Sequence, residues 1–483
     1  MERVGGIDMI DIPSLLIGKA MGGGGGGGGA VDPEADVRFF DPYDGSIVAS
    51  YSAADFANLS ALPANPTHEG MTSQGWNWTL ADAKEQVAWA GFLDIGQQYV
   101  PTDGKTHVHV HMVDGALSPK MKLSIKGTAT VNWGDNTADD SQTNTGSSYA
   151  DKTFSHTYAA PGDYDVTIDG DDYKIIGSSY GSSLISGLNN SSNANANYNI
   201  CITRIELGDN VTFGNYAFYT CRNLNYATLP NSIKFDGTNV FSETGIRLVS
   251  VPSGITSLPN STFYFARALS AVSCPKSLVS FGSGFFQGSP IERTPYPKAV
   301  SKLSGNGCAS CVGLKRIALP TGVSTISSSF LSGSGGFFEK VVVPSGVTDI
   351  GTSAFSCNYM LKTVELPNGL LTIGENAFNS CFALQEITFP STLTTIGRQS
   401  FGSCYSLSYL EIPASVTSLG YSFCSGARLG KIKFLGSTPP TVASGAFNSL
   451  PTDCKILVPA GSLAAYTGTS NMPSSSSYTY EEY

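Results

Sequence analysis

Hydrophobic and polar residues recur with a period of about 23 residues through the C-terminal half of the chain. The clearest mark of the period is a hydrophobic residue, or a cysteine, followed by proline, at steps of 22 to 24 residues. The marks are Leu229-Pro230, Val251-Pro252, Cys274-Pro275, Tyr296-Pro297, Leu319-Pro320, Val343-Pro344, Leu366-Pro367, Phe389-Pro390 and Ile412-Pro413. Because repeats of 20 to 50 residues are typical of solenoids, the pattern predicts a solenoid over residues 200–466.

Each repeat predicts a short strand and a return segment. Apolar residues such as Leu384, Ile387 and Phe389 precede the proline at strand spacing and are expected to face the core. A segment of the type T-x-I-G then crosses the second side of the coil and ends at a corner glycine such as Gly374. Phenylalanines such as Phe378 follow this corner. We therefore expect a parallel sheet on one face and phenylalanine rings stacked along the core.

Outward-facing strand positions are the expected place for ligand contacts. The position four residues before each mark forms one row, and three neighbouring repeats place cations there. The predicted ligand-binding residues of this row are Arg293, Arg316, Lys340 and Tyr409. The row one position earlier alternates in sign through Glu292, Lys315, Glu339 and Lys362. The pattern thus leaves open a patch for an anionic ligand or a self-neutralising charge ladder.

Residues 37–115 carry the pattern of a small α+β domain. A hairpin is indicated at Asp44-Gly45, and helices are expected to start after Ser52 and Thr79. The tryptophans of this domain are expected in its core. His107, His109 and His111 alternate on its last predicted strand and share one face. One chain offers no complete ligand set around them, so no metal and no cofactor are predicted, and metal binding in an oligomer stays open.

Residues 116–177 combine a Trp-Gly-Asp turn with a later His-x-Tyr-x-x-x-Gly-x-Tyr-x-Val segment. The pattern is formed by Trp133, Gly134, Asp135, Thr137, His156, Tyr158, Gly162, Tyr164 and Val166. It resembles the PKD-type immunoglobulin-like β-sandwich. That resemblance implies a spacer or binding domain without catalysis, in which the Asp and His tie turns together. Asn136 replaces the usual glycine and is compatible with the left-handed conformation.

Composition and charge narrow the function classes. The 483 residues carry a net charge of −10, which divides into −14 over residues 1–199 and +6 over residues 200–470. An acidic chain without a run of Lys or Arg argues against nucleic acid, whereas a mildly basic solenoid leaves room for anionic glycans. The ten cysteines lie in the repeat region, several in phase with it, which favours a buried ladder of thiols. Disulfides between neighbouring repeats stay open.

The repeats as a whole resemble the BspA-like class of leucine-rich repeats. The resemblance covers more than half of the chain and implies a solenoid that binds partners through its surface. The predicted fold class is mainly β, with an α+β N-terminal domain, a PKD-like β-sandwich and a C-terminal leucine-rich-repeat solenoid. Residues 178–199 are expected to be a linker or cap, and residues 467–483 a flexible tail.

The N-terminal segment resembles the front end of virion-associated proteins of phages and prophages of gut Firmicutes. The resemblance rests on IDIPSLLIGK, the glycines that follow it, VRFFDPYDG and ALPANPTHEGMTSQGWNWTLADAK. It implies that residues 1–21 dock on a particle through Ile12, Leu15 and Leu16, and that residues 22–36 are a Gly-rich linker. Asp8 and Asp11 interrupt any secretion signal, so release by lysis is expected.

The leading hypothesis is therefore a non-enzymatic structural protein on the virion surface. Its N-terminus would contact virion structural proteins, and its solenoid would bind a host-surface or mucosal glycan or protein. It would insert into no membrane, and a homo-oligomer is compatible with the sequence. The alternative is a BspA-like adhesin on the bacterial cell surface. An enzyme acting on surface polysaccharide is disfavoured because the repeats offer only scattered carboxylates such as Glu365, Glu386 and Glu411.

Overall fold

The computed structural model describes residues 31–113, 118–177, 202–335 and 337–483, and the backbone of residues 185 and 186. The chain is mainly β, with a small α+β module, a β-sheet module and a parallel β-solenoid of about 12 turns. The docking residues Ile12, Leu15 and Leu16 lie outside the described residues, as do most of the predicted linkers 22–36 and 178–199.

The α+β module has a four-stranded sheet in the order β2-β1-β4-β3, covered by two helices. Its elements are β1 (Val37–Phe40), β2 (Ile47–Tyr51), α1 (Ala53–Ala57), β3 (Met71–Trp76), α2 (Leu80–Ala90) and β4 (Leu93–Pro101). The side chain of Ser52 accepts a hydrogen bond from the Asp55 amide, and Thr79 caps α2 in the same way, as the sequence predicts. This module has its own core, built on Phe39, Phe56, Trp78, Val87 and Ile95.

The β-sheet module follows, and its main sheet continues into the solenoid. Its strands are β5 (Thr106–Met112), β6 (Lys120–Asn132), β7 (Asp140–Asn144), β8 (Ala150–Ser155), β9 (Gly162–Ile175) and β10 (Ile185–Ser186). The histidine strand β5 was expected in the α+β domain, but it pairs antiparallel with β9 and with the first solenoid strand. The alternating Val108, Val110 and Met112 are the reason, because they belong to the core shared with the solenoid.

The Trp-Gly-Asp turn and the His-x-Tyr segment come together in this module. His156 Nε2 lies 2.8 Å from Asp135 Oδ2, and its ring stacks on Trp133 at 5.2 Å. The hydroxyl of Tyr158 donates to the Trp133 carbonyl at 2.9 Å. Asn136 has φ 64°, the left-handed conformation expected there. These residues thus tie turns together, while the assignment to the PKD type stays a prediction.

Two short strands per turn build the solenoid. The elements in chain order are β11 (Ile202–Glu206), β12 (Thr212–Phe213), β13 (Tyr226–Thr228), β14 (Lys234–Phe235), β15 (Leu248–Ser250), β16 (Ser257–Leu258), β17 (Ala271–Ser273), β18 (Ser280–Phe281), β19 (Lys302–Leu303), β20 (Thr325–Ile326), β21 (Lys340–Val342), β22 (Asp349–Ile350), β23 (Thr363–Glu365), β24 (Thr372–Ile373), β25 (Glu386–Ile387), β26 (Thr395–Ile396), β27 (Tyr409–Ile412), β28 (Ser418–Leu419), β29 (Lys431–Phe434), β30 (Thr441–Val442), β31 (Lys455–Val458), α3 (Leu463–Gly468) and β32 (Thr479–Glu482). Strands that precede the proline marks form the first side, whose outer surface we call the strand face. The intervening two-residue strands form the second side.

Corner glycines allow neighbouring turns to approach closely. The amide of Gly374 donates to the Ile350 carbonyl at 2.8 Å, and an added Cβ at Gly374 would lie 2.7 Å from that oxygen. Gly351 and Gly397 have the same surroundings, so the corner role predicted for these glycines is confirmed. Left-handed residues follow in each turn, for example Asn376 and Ser380, with φ 54° and 61°.

The predicted phenylalanine stack is present. Phe355, Phe378 and Phe401 are fully buried, with ring centroids 5.3 and 5.4 Å apart and nearly parallel planes. The stack is interrupted where Cys308 takes the aromatic position and Tyr296 enters the core, its hydroxyl 2.9 Å from Cys308 Sγ. In that turn an isolated bridge between Arg293 and Arg316 replaces the strand, so the coil is distorted there.

The nine cysteines within the described residues are free thiols, and all except Cys357 are buried. Cys381 Sγ donates to the carbonyl of Phe355 in the preceding turn at 3.2 Å, and Cys404 makes the equivalent bond one turn later. Burial raises the pKa of Cys404 to about 12. In the turn of Cys357, the neighbouring Asn358 fills the inward position instead, with its amide donating to a backbone carbonyl.

The C-terminal residues close the end of the solenoid. Residues 467–483 were expected to be a flexible tail, but β32 pairs in parallel with β31. The hydroxyls of Tyr478 and Tyr483 donate to the carbonyls of Leu450 and Phe434, at 3.1 and 2.9 Å. The expectation was wrong. The segment lacks the repeat period, so the pattern did not indicate that it supplies the last strand of the sheet.

Candidate functional site

The α+β module lies on the strand face and covers the first turns of the solenoid. Strand β4 crosses β13, β15 and β17, so closely that a Cβ on Gly96 would lie 2.5 Å from the Cβ of Ser250. The side-chain amide of Asn77 donates to the backbone carbonyls of Val251 and Ser273, at 3.0 and 3.1 Å. These turns therefore offer no open strand face to a ligand.

Arg293 belongs to this intramolecular interface. Its buried guanidinium donates to the carbonyls of Ala35 and Asp36, at 2.6 and 3.1 Å, and lies 3.4 Å from Asp94 Oδ1. Asp94 in turn accepts two hydrogen bonds from Arg38, at 2.7 and 2.8 Å. Burial is the main cause that lowers the pKa of Arg293. Residues 32–36, predicted as linker, are thus anchored against the solenoid.

Arg316 lies beside Arg293 and has a similar role. Its guanidinium donates to Asp36 Oδ1 at 2.8 Å and to the Gly91 carbonyl at 3.0 Å, and it lies over the Phe92 ring. The pKa of Asp36 is lowered, first by the hydrogen bond from the Ala53 amide and then by Arg316. Both arginines thus contact the α+β module.

The predicted cation patch is therefore divided by the structure. Lys340 is exposed and pairs with the exposed Glu365 of the next strand, whereas Arg293 is buried and Arg316 is half-buried. The sequence pattern predicted that all three cations would be exposed together. That expectation was wrong, because the repeat pattern carries no information about the α+β module that covers the strand face. Ligand binding by Arg293, Arg316, Lys340 and Tyr409 stays a prediction.

The row of alternating charges forms the expected ladder. Lys315 Nζ lies 3.3 Å from Glu292, and Lys362 Nζ lies 2.6 Å from Glu339. Lys315 also pairs with Glu34 of the covering segment at 2.9 Å. The self-neutralising interpretation of this row is thus confirmed.

An open groove begins where the α+β module ends. It consists of two connected stretches of about 630 and 780 Å³, which share residues of the turn that carries Glu365. Its lining residues are Trp89, Ile317, Leu319, Lys340, Val342, Thr363, Glu365, Leu366, Glu386 and Phe389. Trp89, expected in the core, forms the end wall of this groove, and Val342 is 53% exposed in it. We call this surface the open groove.

Tyr409 lies farther along the same face and is 40% exposed. Its hydroxyl donates to Glu411 at 2.8 Å, and burial followed by this bond raises the pKa of Tyr409 to about 12. Lys431 and Lys455 continue its row in register. The proline mark is absent from the turn of Lys431, which interrupts the row before Lys455 in the sequence pattern.

The three histidines of β5 each face a carboxylate. The pairs are His107 Nδ1 with Asp165 at 2.8 Å, His109 Nε2 with Glu206 at 3.4 Å and His111 Nδ1 with Asp163 at 2.7 Å. The hydrogen bond with Asp165 is the main cause that raises the pKa of His107 to about 9. Of these three contacts, the pair His109–Glu206 joins the β-sheet module to the solenoid, and the other two lie within the β-sheet module.

Potential metal ligands converge at one other place in the described residues. Asp41, Asp44 and His68 present ligand atoms within 4.8 Å of one another. The buried Asp41 already accepts hydrogen bonds from His68 Nε2 at 2.7 Å and from the Tyr99 hydroxyl at 2.8 Å. We therefore interpret this group as a satisfied hydrogen-bond cluster and assign no metal to it.

The described helices are all too short or too polar to cross a membrane.

No curated protein matches the chain. Solved structures align with more than half of the chain. A leucine-rich repeat protein from Bacteroides ovatus is 19% identical over 58% of this chain and 84% of its own, with a TM-score of 0.44. A leucine-rich cell surface protein from Faecalibacterium prausnitzii is 20% identical over 54% and 79%, with a TM-score of 0.34. The pneumococcal vaccine antigen PcpA is 18% identical over 56% and 76%, with a TM-score of 0.35.

The family comparison concerns the repeats themselves. A model described as the BspA type leucine rich repeat region matches six copies, in residues 190–315, 309–360 and 324–452. These matches together span more than half of the chain, and they coincide with the parallel solenoid described above. The chain therefore belongs to the BspA-type leucine-rich repeat family.

Proposed function

We propose that this protein is a non-enzymatic adhesin-type binding protein, displayed on the bacterial cell surface, whose open groove holds an extended host-surface or mucosal glycan. The open groove supports this proposal most strongly. It is the long uncovered stretch of strand face next to the turns that the α+β module occupies. Membership of the BspA-type family supports a surface-binding role.

The chemistry of the open groove favours a glycan over a peptide strand. Strand β23 is paired on both sides, with β21 and with β25, so it presents no free backbone edge for an added strand. Recognition must come from side chains. Thr363, Glu386 and Lys340 supply donors and acceptors beside the apolar Val342 and Leu366, and a sugar presents both kinds of surface.

A non-enzymatic role is supported by the pairing of the carboxylates. Glu365 pairs with Lys340, and Glu411 pairs with Lys433 and Tyr409. Glu365 and Glu411 are thus each held by a neighbouring residue of the sheet, as expected of structural ion pairs.

The second candidate is a virion-associated structural protein of a phage or prophage. The observation in its favour is the sequence of the N-terminal segment, with Ile12, Leu15 and Leu16 followed by the glycines. In that case the same groove would bind the same class of ligand, and residues 1–21 would contact virion structural proteins.

The test is a glycan array probed with the full chain, together with fractionation of the producing culture. We expect binding to host or mucosal glycans and recovery of the protein with the cell envelope. Recovery of the protein with purified phage particles would instead favour the virion-associated candidate over the cell-surface adhesin. An array without any glycan binding, together with tight binding to a host protein, would overturn the glycan proposal.

A further inference from the structure

A second, smaller cleft lies between helix α2 and the solenoid. Its volume is about 220 Å³, and we call it the Trp78 cleft. Side chains from both modules line it, among them Trp78, Asp82, Glu85, Lys276, Lys298 and Thr321. The Gln86 side chain holds its wall in place by bonding the Tyr296 carbonyl and the Lys298 amide, at 2.8 and 3.0 Å.

An unsatisfied donor distinguishes this cleft. Trp78 is 96% buried, since its exposed fraction is 4%. Its indole N–H has no acceptor among the described residues. A buried donor without a partner destabilises the folded state, so a ligand oxygen that reached this N–H would recover that free energy. The nitrogen itself has almost no accessible surface, so a ligand reaches it only if neighbouring side chains move; those of Lys276 and Lys298 in the same cleft are half-exposed.

The charges around the Trp78 cleft balance. Lys276 Nζ lies 2.6 Å from Asp82 and 3.4 Å from Glu85, and Lys298 Nζ lies 3.6 Å from Glu85. Two carboxylates and two ammonium groups thus provide acceptors and donors with no net charge. A neutral ligand with several hydroxyl groups suits this arrangement, whereas an anion would meet both carboxylates.

The Trp78 cleft adjoins the open groove. Thr321 lines both, and Trp89, the end wall of the groove, lies seven residues after Asp82 on α2. Residues at this spacing share one face of a helix, and here that face lies against the solenoid. An extended ligand in the open groove would therefore place its end at the Trp78 cleft.

We propose that the Trp78 cleft is a subsite for a single neutral pyranose unit, the terminal sugar of a glycan that lies in the open groove. This inference rests on the proposed function and adds to it the class of the terminal sugar. The indole N–H of Trp78 and the lysines donate to sugar oxygens, and Asp82 and Glu85 accept from sugar hydroxyls.

The experiment follows the indole N–H signals of the full chain by NMR during titration with methyl glycosides of glucose, galactose, mannose and N-acetylglucosamine. The Trp78 signal is assigned from its loss in W78F. Trp133 is the matched control, because its buried indole N–H also lacks an acceptor in the described part of the chain but lies in the β-sheet module. We expect a saturable shift of the Trp78 signal, an unchanged Trp133 signal, and no such shift with glucuronic acid.

Variants separate this inference from the proposed function. W78F is expected to weaken glycoside binding at least tenfold, W133F to leave it unchanged, and the half-exposed pair E85Q/K298M to weaken it without loss of the fold. No shift of the Trp78 signal with any neutral glycoside would overturn the subsite. Glycan binding by W78F equal to wild type would also overturn it, while leaving the proposed function intact.

Discussion

The most informative perturbation of the domain arrangement is Arg293→Met. The substitution keeps an unbranched, largely apolar stem but removes the guanidinium with its hydrogen bonds to the Ala35 and Asp36 carbonyls and its ion pair with Asp94. Removing one partner of a buried charged group costs about 3–5 kcal/mol. Asp94 keeps two hydrogen bonds from Arg38, so we take the lower end, about 3 kcal/mol.

We expect this loss of free energy to weaken the docking of the α+β module onto the solenoid. Two backbone amides of the solenoid report docking directly, since Lys298 donates to Gln86 and Asn231 to Gln74 across the interface. About 3 kcal/mol corresponds to a more than hundredfold larger undocked population, and hydrogen exchange at these amides should accelerate by that factor. The Phe378 amide, bonded between turns far from the interface, should not change.

Lys340→Met is the matched control. Lys340 belongs to the same predicted row but pairs with Glu365 on the surface, where an ion pair contributes little to stability. It should leave exchange at Lys298 and Asn231 as in the wild type. If Arg293→Met left this exchange unchanged and abolished binding to the glycan, Arg293 would be a ligand residue and the docking argument would be refuted.

Three further predictions concern stability. Gly374→Ala should cost about 1–3 kcal/mol of unfolding free energy, because the added Cβ meets the Ile350 carbonyl at 2.7 Å, whereas Gly369→Ala, with its nearest atom at 4.0 Å, should be near neutral; equal denaturation midpoints would contradict this. The raised pKa of His107, about 9, predicts stabilisation that is complete below pH 6 and is lost as the pH rises through 9. His107→Asn should therefore lower the free energy of unfolding at pH 6 by about 1–2 kcal/mol after solvent screening, but not at pH 10, and equal losses at both would refute it. Deleting residues 471–483 should cost about 2 kcal/mol, at roughly 1 kcal/mol for each of the two tyrosine hydrogen bonds to the preceding turns, and an unchanged melting temperature would show that β32 closes nothing.

The repeat period predicted the parts of the fold that depend on local pattern. The row from Lys340 through Thr363 and Glu386 is in register in the structure, and Phe378 stacks between its neighbours. Corner glycines such as Gly374 follow from the same pattern, because every turn meets the same steric constraint. Such features repeat, so a single sequence displays each of them several times.

The covering of the strand face could not be predicted in this way. The hydrogen-bond partners of Arg293 lie 257 and 258 residues earlier in the chain and are backbone carbonyls, which have no sequence signature. Cys357 shows the same limit at short range. Cys357 lies one residue before the position that the other cysteines occupy in their turns. Asn358 occupies that inward position instead.

The site predicted from the sequence differs from the open surface in the structure for the same reason. The sequence pattern pointed to Arg293 and Arg316, while the open surface begins beyond them, at Trp89 and Val342. Trp89 was expected in a core because nothing local marks the end of a helix as the wall of a groove formed with another module.

The central claim, that the open groove holds the ligand, is tested most directly by binding of the full chain to a mucin-coated surface. Thr363→Arg places a long side chain in the open groove, and Thr372→Arg places the same side chain on the second side of the same turn. Both threonines are half-buried in the native chain. The account predicts at least tenfold weaker binding by Thr363→Arg and unchanged binding by Thr372→Arg. Wild-type affinity in Thr363→Arg, or loss of binding only in Thr372→Arg, would contradict it.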